Sequence, residues 1–204
     1  RLHYVLQIQT RQISTRWSRE EGAILMGKYF DELKRAMDYL GEQEDTMFLG
    51  QAVAYKGTAM TNTLSGVSKD KLLEMPVDEE MQMGITNGLA VAGTVPISIY
   101  PRWNFLLCAV NQLVNHLDRM KAYSNGEYVP KVIIRVGIGS ERPLNPQPQH
   151  TGDFTQAFRG ILRNIEVIRC DDPEDIFPAY FKAYNRTDGK STIVVEYGDY
   201  YGEK

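Results

Sequence analysis

Cysteine is scarce in this chain, with only Cys108 and Cys170 among 204 residues. Both lie in apolar segments without CxxC or Cys/His spacing. That excludes a disulfide framework or a zinc site and predicts two small core residues in a reducing compartment. Long apolar runs are also missing: nothing approaches the roughly 18 residues of a membrane span. Positive charge is never concentrated. No Lys/Arg run exceeds two residues and the formal net charge is −3, which argues against nucleic-acid binding by phosphate neutralisation. Internal repeats and low-complexity tracts are absent. A hydrophobic fraction of 43% and a charged fraction of 24% then fit one well-cored globular domain, too short for two. A cytosolic, acidic, single-domain protein is expected.

The first residues stand apart. Arg1, Arg11, Arg16 and Arg19 sit among scattered apolar residues, with no acid before Glu20. The stretch reads as an extension or a swapped arm, with an Arg-rich organellar targeting segment as the alternative. The chain opens on Arg1 rather than Met, and Met26-Gly27-Lys28 suits a natural start. The expected division is therefore an extension over 1–26 and a domain over 27–204.

Phe30, Leu33, Ala36, Met37 and Leu40 recur at helical spacing, and Gly41 supplies the stop. Met47-Phe48-Leu49 reads as a buried strand ending at Gly50. Residues 51–74 look like a long functional loop with a helical turn. Helices are expected over 79–92, 104–122 and 154–162, and strands over 94–100, 131–136, 165–169 and 191–196. The 104–122 helix carries Phe105, Ala109, Leu113, Leu117 and Met120 on one stripe. Asp172-Pro173-Glu174-Asp175 gives an N-cap, a first-turn proline and acids for a last helix burying Ile176, Phe177, Tyr180, Phe181 and Tyr184. Pro178 lies deep enough there to kink or shorten it. Strands written as continuous apolar runs, alternating with helices, predict an α/β fold: a three-layer parallel sheet with helices on both faces. Ligands then bind beyond the carboxyl ends of the strands, which directs attention to 50–58, 75–80, 100–105 and 137–153.

Asp78, Glu79 and Glu80 cluster at a loop-to-helix junction, where acids also serve the helix dipole and cap. His150 is a loop histidine, a type more often merely solvated. Gly137-Ile138-Gly139 is a lone GxG with no helix signature behind it, a weak phosphate-loop signal.

The order and spacing of further pieces carry more. Gly50-Gln51-Ala52-Val53 is followed by Met75-Pro76-Val77-Asp78-Glu79, Gly84 and Gly88-Leu89-Ala90-Val91-Ala92-Gly93. Pro96, Tyr100, Trp103-Asn104-Phe105, Asn111-Gln112-Leu113-Val114-Asn115, Pro130 and Gln149-His150-Thr151 come next. This resembles the beta subunits of thiamine diphosphate-dependent 2-oxo acid dehydrogenases of the pyruvate and branched-chain types, over roughly residues 27–200. The resemblance implies a transketolase-like pyrimidine-binding domain. By position, Glu79, chosen over Glu80 by counting to the glycines, matches the carboxylate that shares a proton with the aminopyrimidine ring. That favours the imino tautomer of the exocyclic amine, and the imine can then deprotonate the thiazolium carbon. Gln51 and Phe105 match further cofactor positions, Phe105 packing on the pyrimidine, and His150 matches a catalytic histidine near the substrate and the incoming lipoyl group.

The resemblance also implies that magnesium and diphosphate are held by an alpha-type partner, with no metal ligand in this chain. Assembly as a hetero-oligomer (a heterotetramer in the family) or homodimer and a lipoyl-bearing acyltransferase partner are expected. Departures are visible. Gln51 stands where the family places an acid, Arg102 and Cys108 replace more usual types, and the 137–153 loop is rich in proline (Pro143, Pro146, Pro148). The family's C-terminal domain does not follow Tyr201, so it is expected on a separate polypeptide, or the form is truncated. Split transketolase-like ketol transfer and a non-catalytic assembly subunit are the competing functions.

Overall fold

The computed structural model describes residues 19–201 apart from 56–57 and 143–144, with side chains from Lys28 onward. The arginine-rich stretch up to Ser18, and Pro143, lie outside the described residues. A helix α1 (Arg19–Gly41) runs across the expected 26/27 boundary. It is followed by β1 (Thr46–Gly50), a short α2 (Ala59–Asn62), β2 (Leu72–Glu74), α3 (Glu79–Val91) and β3 (Val95–Tyr100). Next come α4 (Trp103–Leu106), a 3-10 turn (Leu107–Ala109), a π-helical segment (Asn111–Leu117) and α5 (Met120–Tyr123). The chain ends with β4 (Ile133–Ile138), α6 (Thr155–Ile161), β5 (Ile165–Arg169), α7 (Pro173–Asn185) and β6 (Ser191–Tyr197).

The strands form one sheet in the order β2-β1-β3-β4-β6-β5, and every pair is parallel. The apolar runs are the reason. Ile133, Ile134, Val136, Ile193, Val194 and Val195 are all fully buried, so both faces need cover. One face is covered by α1 and α7 through Tyr29, Leu33, Met37, Ile176 and Tyr180. The other is covered by α3, the α4–π region and α6 through Met83, Trp103, Leu106, Leu113 and Phe158.

Several sequence expectations are corrected. The 51–74 loop ends in an edge strand, β2, too short for a periodic signature. The 104–122 helix is interrupted. Asn87 of α3 donates to the Gln112 carbonyl at 3.2 Å, and Asp118 N reaches back five residues to the Leu113 carbonyl at 3.0 Å. Taking a carbonyl out of the regular ladder is a recognised cause of a π-turn. Ala109, Leu113, Leu117 and Met120 stay buried, while Cys108, in the 3-10 turn before the π segment, is exposed, so only Cys170 is a core residue. Phe105 is half-buried rather than part of that stripe. In α7, Pro178 is carried inside an unbroken helix; it lies on the exposed side, where the Glu174 carbonyl it leaves free can be hydrated. Phe181 is 47% exposed, and with Phe177 and Tyr184 it forms a ring cluster around Tyr39 of α1 instead of entering the core.

Three buried tyrosines tie α1, α7 and the C-terminal turn to β6. Tyr180 and Tyr201 donate to the Glu196 carboxylate, and Tyr29 accepts from Tyr197 N of β6 at 3.0 Å while donating to the Cys170 carbonyl at 2.9 Å. Burial, reinforced by the Glu196 charge, raises all three hydroxyls well above the ordinary tyrosine value. The folded state thus keeps protons that the unfolded chain releases near pH 10, so stability is full below that pH and falls as pH rises through it. Urea midpoints should decline steeply from about pH 10 upward, by up to ~1.4 kcal/mol per pH unit for each tyrosine. A flat profile between pH 9 and 11 would contradict this coupling.

Candidate functional site

Strand register places the candidate residues on one rim. Gly50 pairs with Ile99 and Tyr100 with Val136, so β1, β3 and β4, in the middle of the sheet, send their following loops out on the same side. Two glycines allow this close approach. A Cβ on Gly50 would lie 2.6 Å from the Ile99 carbonyl oxygen, and one on Gly137 2.7 Å from that of Pro101. The GxG of β4 therefore serves strand packing, with Gly137 and Ile138 inside the strand.

The three acids at the start of α3 have separate tasks. Asp78 caps the helix, accepting from Met81 N at 2.9 Å. Glu80 accepts from Asn111 Nδ2 at 2.7 Å and Gln112 Nε2 at 3.3 Å, which fastens α3 to the π segment. Glu79 is half-buried and accepts from Gln51 Nε2 at 3.1 Å. The carboxylate singled out by position is thus the one not spent on holding the fold. Burial raises the Tyr100 hydroxyl; Ser98 works against this, while Glu79 and Glu80 add to it, which places Tyr100 within the field of both carboxylates. Below them Gln82 donates to Ser98 Oγ at 3.2 Å and the Ile99 carbonyl at 3.0 Å, anchoring the first turn of α3 to β3.

The turn that follows Gln51 is held by a residue that the sequence pattern does not single out. The Glu74 carboxylate, at the end of β2, accepts from Ala52 N at 2.6 Å and from Val53 N and Ala54 N, both at 2.9 Å. Ala52 has φ of +55°, so the three amides converge as an anion-binding nest. A lone acid in an unrecognised edge strand has no sequence signal. Glu74→Ala should cost about 1–3 kcal/mol, the price of three unsatisfied amides partly relieved by water. Hydrogen exchange at 52–54 should rise while α3 stays protected; unchanged exchange there would show that the carboxylate does not order the turn.

The other two candidates meet separately. The rings of Phe105 and His150 lie 5.4 Å apart, centroid to centroid. Both are half-buried, and His150 Nδ1 is buried without a hydrogen-bond partner among the described residues. Phe105 is on the helix after β3, and His150 is on a 3-10 turn in the loop after β4. The structure therefore pairs Gln51 with Glu79 and Phe105 with His150, along adjacent stretches of one rim. The set offers a carboxylate acceptor with a neutral amide beside it, an aromatic face and an imidazole with an unspent nitrogen. Among the described residues, no helix is long and apolar enough to cross a membrane.

Residues 28–201 match the family model described as "Transketolase, pyrimidine binding domain". A pyruvate dehydrogenase E1 component subunit beta from Gracilaria tenuistipitata var. liui is 29% identical over 149 residues, covering 71% of this chain and 45% of that one. A 3-methyl-2-oxobutanoate dehydrogenase subunit beta from Mycobacterium tuberculosis (strain CDC 1551 / Oshkosh) is 26% identical over 153 residues, covering 71% and 42%. The chain thus spans less than half the length of these relatives. A transketolase structure from Campylobacter jejuni subsp. jejuni NCTC 11168 superposes with a TM-score of 0.64 at 16% identity, over 82% of this chain and 25% of that one, a likeness of fold. With the family model matched from α1 to the C-terminal turn and the all-parallel sheet in place, the chain belongs to the transketolase pyrimidine-binding domain family.

Proposed function

We propose that this chain supplies the pyrimidine side of a thiamine diphosphate site in a 2-oxo acid dehydrogenase. It would act with an alpha-type subunit that holds the diphosphate and magnesium, and pass the acyl group to a lipoyl-bearing acyltransferase. The observation that carries the reading is the Gln51–Glu79 hydrogen bond at the strand rim, with Glu80 committed elsewhere. The names of the curated relatives supply the reaction class.

The residues fit the aminopyrimidine half of the cofactor. A ring nitrogen needs a proton shared with a carboxylate, and Glu79 offers one beside a neutral donor. A flat heteroaromatic ring needs an aromatic face, and Phe105 offers a half-buried one. When bound, thiamine diphosphate supplies a carbon nucleophile and an electron sink. Glu79 holds the proton at the ring nitrogen, and Gln51 keeps that carboxylate oriented without adding a second negative charge. His150, with Nδ1 buried and unpaired among the described residues, serves the substrate side as a proton carrier.

Mixing the protein with alpha-type chains and measuring thiamine diphosphate-dependent decarboxylation of several 2-oxo acids tests the reading. Cofactor-dependent turnover of at least one acid is expected. Ketol transfer between sugar phosphates in its place would move the chain to the transketolase reaction. Absence of cofactor binding in every pair would make it an assembly subunit.

A further inference from the structure

Arg102 immediately precedes α4, and its side chain reaches across to the loop that follows β4. One nitrogen, Nη1, donates to the carbonyl oxygens of Ser140 and His150, each at 3.1 Å. These residues lie on opposite limbs of the 139–153 loop. Each limb is also fastened to the body of the domain. Asp199 accepts from Glu141 N at 2.9 Å and Arg142 N at 3.2 Å. Asn104 Oδ1 accepts from Gly152 N at 3.3 Å, and Asp153 pairs with Arg169 at 2.9 Å. Arg102 hydrogen-bonds both limbs at once, and at His150 itself.

No hydrogen bond within the described residues orients the imidazole; its side-chain contact is the Phe105 ring at 5.4 Å. The ring's place is therefore set by its backbone, and Arg102 grips that backbone. Burial lowers the Arg102 guanidinium from the ordinary arginine value while Asp199 works the other way. A half-buried cation that spends its hydrogen bonds on two carbonyls is a clamp on main chain, and its planar, fixed donors suit that task better than a lysine would.

We propose that Arg102 is the positioning residue for His150, holding residues 139–142 and 145–153 together so that the imidazole stands against Phe105. The proposal rests on the reading that places His150 in the site, and its first test is independent of turnover. In the isotopically labelled full chain, amide exchange over 139–153 and the His150 ring resonances, shifted by Phe105, report the clamp directly. Arg102→Ala should raise exchange in the loop by about tenfold or more, tenfold being the equivalent of one lost charge-assisted bond. It should also move the His150 signals toward those of a free imidazole while β4, β6 and α3 stay protected. Arg102→Lys should restore part of both. An unmoved His150 signal, or a rise in exchange spread evenly over the whole chain, overturns the proposal.

In the enzyme assembled with an alpha-type chain, Arg102→Ala combined with His150→Gln should turn over no more slowly than His150→Gln alone, because Arg102 acts through His150. Additive losses overturn it. If no assembly gives turnover, the cofactor reading fails, and the exchange and resonance measurements still decide the clamp.

Discussion

Glu79→Ala should lower thiamine diphosphate-dependent turnover about a thousandfold, within the range that a positioned proton-transfer group contributes, and should barely change the stability of the fold. The separation follows from what the residue touches. Glu79 is half-buried at the first position of α3, and its hydrogen bond is to Gln51, a side chain whose own turn is held by Glu74. The cap made by Asp78 and the clasp made by Glu80 both survive the substitution. Losing one first-turn acid then costs about 0.3–1 kcal/mol. Glu80→Ala should behave in the opposite way. It releases Asn111 and Gln112 from α3, so the melting temperature should fall by several degrees while turnover stays within about tenfold. Melting curves and turnover of the two variants, measured side by side, check the pattern. Near-normal turnover in Glu79→Ala, or a larger activity loss in Glu80→Ala, would remove Glu79 from the chemistry.

The contrast between these neighbours marks how far the sequence could be read. Continuous apolar strands have one stable arrangement, a sheet covered on both sides, and every strand of five residues or more was legible for that reason. β2 was not, because Leu72-Leu73-Glu74 has neither length nor period; its strand character comes from pairing with β1. The 104–122 pattern is helical throughout, yet the backbone changes pitch where Asn87 draws the Gln112 carbonyl aside. That contact spans 25 residues and leaves no trace in periodicity. At the rim, the choice of Glu79 came from resemblance and counting, and the structure adds the partners that separate it from Glu80. Glu74 and Arg102 stayed hidden as site-builders because each acts on main-chain atoms, and a hydrogen bond to a peptide group selects no residue type at the other end.

A second large effect is expected far from the rim's carboxylate, at Glu196. Arg135 of β4 and Glu196 of β6 are both fully buried and paired through Nε at 2.8 and 3.0 Å. Arg135 Nη1 continues to Thr63 Oγ1 at 2.7 Å, and Tyr201 donates to Glu196 at 2.5 Å. Burial works against the Arg135 charge, and the Glu196 carboxylate outweighs it, raising the guanidinium above its ordinary value. Removing the anion alone leaves a cation in the core, so Glu196→Ala should cost about 3–5 kcal/mol, or roughly 6–20 °C in melting temperature for a domain of this size. Replacing both partners, as Arg135→Met with Glu196→Leu, should recover part of that loss: it removes the unpaired cation, with an Arg135 Nη2 that is buried without a partner among the described residues, and restores apolar packing, while the Tyr180 and Tyr201 hydroxyls still lose their acceptor. Thermal melts of the single and double variants decide it, and a double variant no better than Glu196→Ala would show that the pair is worth more than the packing that replaces it. The loss should extend to the rim. Tyr201 closes the turn that carries Asp199, and Asp199 holds the Glu141 and Arg142 amides of the loop bearing His150. Loosening Glu196 should therefore raise exchange at 139–142 before β4 opens, which makes the buried pair a foundation of the His150 loop as well as of the sheet.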